Sequence, residues 1–178
     1  MFSMPIFFVV LSLFVAAPQF APGNRLQLPP DYRQWVWLSS GLGMNYGPIG
    51  AHEENPSFDN VFVNPASYRA FLDTGTWPEG TMFILENRAS ASKGSINTGG
   101  HYQSDLVAIE AEVKDSKRFP GKWAFFGFGN SGTSAAQIPT TASCYACHAK
   151  NGAVDNTFVQ FYPTLIGVAK QKGTFRGD

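Results

Sequence analysis

The sequence predicts an α+β fold, an antiparallel β-sheet core with flanking helices. Three observations lead there. Segments of alternating apolar character cluster mid-chain, helical signals lie towards the ends, and no regular strand–helix alternation of the kind that builds a parallel sheet occurs. The 178 residues are 44% apolar, with 16 Phe and 4 Trp, which is material for one domain with a sizeable core. Lys plus Arg and Asp plus Glu number 13 each, so the formal charge is zero and there is no electrostatic footprint for nucleic acid or an anionic membrane. No internal repeat or low-complexity tract is present.

Residues 1–21 read as a secretory leader, and residues 22–178 as the single folded domain. The apolar run from Ile6 to Ala17 is shorter than the roughly 20 residues that span a bilayer, and small residues follow it. No Lys or Arg precedes the run, and Pro follows both Ala17 and Ala21, so an uncleaved tail or membrane anchor is the competing reading. The absence of Cys near this segment excludes a lipoprotein-type anchor.

The stretch PPDYRQWVWLSSGLG reads as a short helix started by Pro29 and Pro30 and ended by Gly41 to Gly43. Residues 44–57 are a loop rich in Gly, Pro and Asn. FDNVFVN is a strand. PASYRAFLDTG is a helix with Pro65 in its first turn and Gly75 as its stop. GTMFILENR is the next strand, and the Ser, Gly and Asn-rich residues 90–102 form a mobile loop. In DLVAIEAEVKD, Val107, Ile109, Ala111 and Val113 point one way, and Glu110 and Glu112 the other. KWAFFGFG is a further strand and NSGTSAAQIPT a loop. The segment after it opens a helix, with Thr140, Thr141 or Ser143 as a capping hydroxyl. A last helix begins near Pro163.

Both cysteines of the chain sit in Cys144-Tyr145-Ala146-Cys147-His148. Cys-x-x-Cys-His is the attachment signature of c-type haem. Two thiols on one helical turn reach the two vinyl groups of one porphyrin, and the next residue sets an imidazole beneath the iron, making His148 the axial ligand. Attachment requires an oxidising compartment, which matches a leader and predicts a periplasmic or otherwise exported protein. A structural zinc site wants four ligands, and only His52 and His101, each alone in a loop, are left to supply the second pair. A thioredoxin-like motif follows a strand in a βαβ unit, and none is apparent. A Cys144–Cys147 disulfide closes a very small loop and stabilises little.

The stretches DYRQWVW, VFVNPASYRAFLDTGTWPEGT, AIEAEVKDSKRF, WAFFGF, CYACHAK and FVQFYPTL, in this order, resemble the cytochrome P-460 family from about Tyr32 to Val168. The resemblance implies a small antiparallel-sheet homodimer with one covalent haem c per chain and a five-coordinate iron. One branch of the family oxidises hydroxylamine and carries a lysine cross-linked to the porphyrin. The other lacks that bond and binds nitric oxide or carbon monoxide in an apolar distal pocket. The position matching the cross-linking lysine is Leu85, which has no nucleophilic nitrogen, and the nearest downstream lysine, Lys93, lies in a loop. An arginine of the cross-linked proteins is replaced near Asp59. The chain thus resembles the branch without the cross-link.

Strand parity places Thr81, Phe83 and Asn87 on the side of Leu85, and Met82, Ile84 and Glu86 on the other, so Met82 is not expected as a sixth ligand. Phe83 and Leu85 are expected to line the distal pocket and Phe58 to cap it. Asp59 is either a distal acid–base group or a solvated turn residue. Met44, His52 and His101 are the alternative axial ligands. Arg69, Lys122 and Lys150 are propionate partners or plain solvated charges. Phe161 and Tyr162 read as core, with Tyr162 able to reach a propionate. Three functions follow: binding of a small gaseous ligand, oxidation of hydroxylamine or a related nitrogen compound, and simple electron transfer with a partner protein.

Overall fold

The computed structural model describes residues 17–44 and 55–177. The strands are β1 (Phe20–Ala21), β2 (Arg25–Gln27), β3 (Val36–Leu42), β4 (Phe58–Val63), β5 (Met82–Ala91), β6 (Tyr102–Lys114), β7 (Trp123–Gly129) and β8 (Ser134–Ala135). The helices are α1 (Pro65–Thr74), α2 (Ser143–Asn151) and α3 (Pro163–Gln171). Five strands pair antiparallel in the order β3-β4-β5-β6-β7, and β1-β2-β8 form a second, three-stranded antiparallel sheet. The predicted α+β class is what the chain adopts.

Alternation along the central strands splits the core in two. Met82, Ile84, Ile109, Ala111, Val113 and Phe126 face the small sheet, together with Leu26 and Ala135. Phe83, Val63 and Trp123 face the other way, against Phe71 of α1 and Leu165 and Ala169 of α3. Both faces of the large sheet are therefore covered. Helix α1 starts on Pro65 and stops at Gly75, whose φ of 72° lets its N–H close on the Phe71 carbonyl at 2.7 Å.

Three expectations are corrected. The helix expected over residues 29–43 is a single 3-10 turn, Tyr32–Gln34, followed by strand β3. The run Trp35-Val36-Trp37-Leu38 alternates with a period of two, Trp37 being 56% exposed and Leu38 2% exposed, and pairing with β4 outweighs the helical start signal. No hydroxyl caps α2. Its N-cap is Ala142, whose N–H closes a turn on the Pro139 carbonyl at 2.9 Å, so the backbone itself makes the entry. The loop expected over 90–102 is shorter, because β5 and β6 remain paired out to Ala91 and Tyr102. In the small sheet, Phe20 of β1 packs its ring against Phe119 and Phe126 at centroid distances of 6.0 and 6.1 Å.

On the face away from α2, the buried Glu86 carboxylate accepts hydrogen bonds from the Tyr32 hydroxyl, Arg88 and Arg33, the last at 2.8 Å. Burial pushes this carboxyl up, but the bonds from Tyr32 and Arg88 and the two arginine charges outweigh it and hold it below the usual range. A depressed folded value makes the contribution to stability complete above the unfolded carboxyl's pKa of about 4.3 and lost as pH falls through the folded value. Urea midpoints of wild type and Glu86→Gln are therefore far apart at pH 6 and converge as the pH is lowered towards 3. A gap independent of pH would show that Glu86 is not charged in the fold.

Candidate haem site

Cys144, Cys147 and His148 lie on α2 at spacings of three and four, so one helix face presents both thiols and the imidazole. Both cysteines are free and half-buried. All three residues form one wall of a cavity of about 340 Å³. The opposite wall is the large sheet. Cross-strand pairing sets Val61, Leu85, Glu110 and Gly127 in one row and Val63, Phe83, Glu112 and Phe125 in the next. Of these, Val61, Phe83, Leu85, Glu110, Glu112 and Phe125 line the cavity, with Ser39 and Gly41 from edge strand β3 and Phe158, Phe161 and Tyr162 from the segment before α3.

Leu85 and Phe83 thus stand where strand parity places them, while Met82 and Ile84 are buried in the opposite core. Phe58 does not cap the cavity. Asp59 and Val61 line it, and a strand side chain one position away points to the other face, so Phe58 is directed away. Asp59 accepts a hydrogen bond from Asn87, and burial pushes its carboxyl up against that bond. Burial likewise raises Glu110, reinforced by the charge of Asp59. The expected apolar pocket is therefore apolar at Val61, Phe83 and Leu85 and also carries the carboxyls of Asp59, Glu110 and Glu112.

Met44 lines the cavity beneath Gly41, where an added Cβ would fall 2.5 Å from the Met44 Sδ. His101 lies outside the cavity, and His52 lies outside the described residues. Arg69 borders a separate cavity beside Trp35, and Lys122 and Lys150 line neither. Tyr162 is buried and stacks on Phe83 at 6.2 Å.

His148 is held from several sides. Its Nδ1 lies 3.0 Å from the Asn156 carbonyl and 3.4 Å from Glu112 Oε1, and its ring packs on Phe125 at 4.6 Å and Phe158 at 4.3 Å. An Nδ1–H donated to the carbonyl leaves Nε2 with the lone pair, the tautomer a metal ligand needs. Burial pulls the imidazole pKa down, but Glu112 and the Asn156 carbonyl outweigh it and the net shift is upward. Burial raises the Cys144 thiol. Glu112, Phe125, Phe158 and the Asn156 carbonyl escaped the sequence reading.

Two free thiols and a lone-pair imidazole nitrogen, set across from Val61, Phe83 and Leu85, fit a porphyrin. Among the described residues, no group of three or more His, Cys, Asp or Glu side chains is placed to hold a bare metal ion, so the zinc alternative gains nothing. No curated protein matches the chain. The family model described as Cytochrome P460 matches residues 29–159, about three quarters of the sequence, taking in the whole five-stranded sheet and the Cys-x-x-Cys-His helix. By that match the chain belongs to the cytochrome P460 family of haem cytochromes.

Proposed function

We propose that this chain is an exported mono-haem c-type cytochrome that binds a small gaseous ligand, nitric oxide or carbon monoxide, at a five-coordinate iron. The observation that carries the reading is the cavity itself: Cys144, Cys147 and His148 on one wall, Leu85, Phe83 and Val61 on the other. Haem, when bound, would supply an iron able to take up a neutral diatomic ligand. The chain's own residues do the rest. Cys144 and Cys147 would anchor the porphyrin by thioether bonds, His148 would hold the iron through Nε2, and Leu85 and Phe83 would give the open side an apolar surface. Leu85 also withholds the amine that a porphyrin cross-link needs. Homodimerisation is proposed on the family resemblance.

Two other readings each have an observation behind them. Asp59 and Glu110 offer carboxyls that hold or release protons beside the cavity, which favours oxidation of hydroxylamine. Met44 lines the same cavity, which favours a sixth ligand and an electron carrier. Absorption spectra of the reduced protein separate the three. Gas binding predicts a five-coordinate ferrous spectrum that shifts with carbon monoxide and is unchanged in Met44→Ala. A spectrum that ignores carbon monoxide until Met44 is replaced supports the carrier. A strongly red-shifted Soret band before any ligand is added indicates a modified porphyrin and returns hydroxylamine oxidation to the lead.

A further inference from the structure

We infer that Glu112 is a positioning residue for His148, forming with the Asn156 carbonyl a two-acceptor clamp on the imidazole Nδ1–H. This rests on His148 being the iron ligand. Glu112 is 9% exposed, and its Oε1 has no hydrogen-bond partner in the fold. It stands 3.4 Å from Nδ1, an ion-pair distance beyond hydrogen-bond length, beside the carbonyl that does bond Nδ1 at 3.0 Å. A carboxyl buried without a full partner is costly unless something nearby draws on it.

The first acceptor is itself held by the same strand. Lys114, two residues beyond Glu112 on one face of β6, pairs with Asp155 and donates to the Trp77 carbonyl at 2.7 Å. Asp155 and Asn156 both sit in the left-handed region, at φ 48° and 65°. Thr157 receives the Trp77 indole N–H at 2.8 Å. The end of α2 presses on this turn so closely that a Cβ on Gly152 would meet Asn156 backbone at 2.5 Å. Strand β6 thus contributes one acceptor directly and fixes the turn that carries the other.

A ligating histidine whose second nitrogen donates to a carboxylate is fixed in orientation and made a stronger donor. A stronger donor favours the oxidised iron. In the haem-loaded protein, Glu112→Gln is expected to shift the oxidation equilibrium about tenfold towards the reduced state, about 60 mV for one electron. The iron–histidine stretch in the ferrous Raman spectrum moves to lower frequency, while haem content and carbon monoxide binding persist. Potential and stretch equal to wild type in haem-loaded Glu112→Gln would overturn the clamp and leave the ligand reading standing. Should Glu112→Gln not retain haem, Glu112→Asp, which withdraws the carboxyl by one methylene, carries the test: both readouts shift in the same direction, and unchanged values overturn the inference. A wild-type chain that takes up no covalent haem overturns the ligand reading and the clamp with it.

Discussion

Replacing both Cys144 and Cys147 with Ser leaves a chain that carries no covalent haem. After expression with haem-attachment machinery and denaturing electrophoresis, haem-dependent peroxidase staining disappears completely. Each single variant keeps one thioether and stains weakly. The argument is geometric: the two thiols share one face of α2 and open on one cavity, and no other cysteine occurs in the chain. His148→Ala separates anchoring from ligation, since it leaves both thiols in place and removes the axial nitrogen. Its expected product stains on the gel but has lost the histidine-ligated spectrum. Full staining of the double Ser variant would mean that these thiols do not anchor the porphyrin.

Trp77→Ala is expected to cost about 3–5 kcal/mol, the range for deleting a buried aromatic. Against a total of about 5–15 kcal/mol this is enough to bring a domain close to unfolding. Trp77 is 2% exposed and packs on Phe71 at 4.1 Å and Phe83 at 4.8 Å. Its indole N–H and carbonyl also hold Thr157 and Lys114, so one residue ties α1, β5 and the turn beneath His148 together. Trp77→Phe keeps much of the ring packing and loses the hydrogen bond to Thr157, at a cost of about 1 kcal/mol from that bond. Urea unfolding of the two variants measures the difference. A loss below about 1 kcal/mol in Trp77→Ala would remove it from the core.

The strands β4 to β7, the helix α1 and its Gly75 stop were legible because each carries a local signal: a period of two, a proline start or a glycine end. The haem motif was legible because its spacing alone defines one helix face. What the chain kept hidden depends on what lies across from a strand. Alternation says that Glu110 and Glu112 oppose Ile109 and Ala111, but it does not say which face is covered. In this fold both faces are, one by the small sheet and one by helices, so the polar side of β6 turns into a cavity wall instead of a solvent face. The misplacement of Phe58 is the same problem at single-residue scale, since a shift of one position exchanges it with Asp59. Strand β3 carries a misleading helical signal because a proline pair and a short helical turn precede a run whose partner, β4, begins only at Phe58.

Phe20 bears on where a leader, if this chain carries one, could be cut. Its ring covers Phe119 and Phe126, and β1 completes the edge of the small sheet. Processing after Ala17 leaves that strand in place. Processing after Ala21 would strip it away and take the Phe20 ring off Phe119 and Phe126. If a leader is removed, the position of the cut therefore also decides whether the small sheet keeps its edge strand.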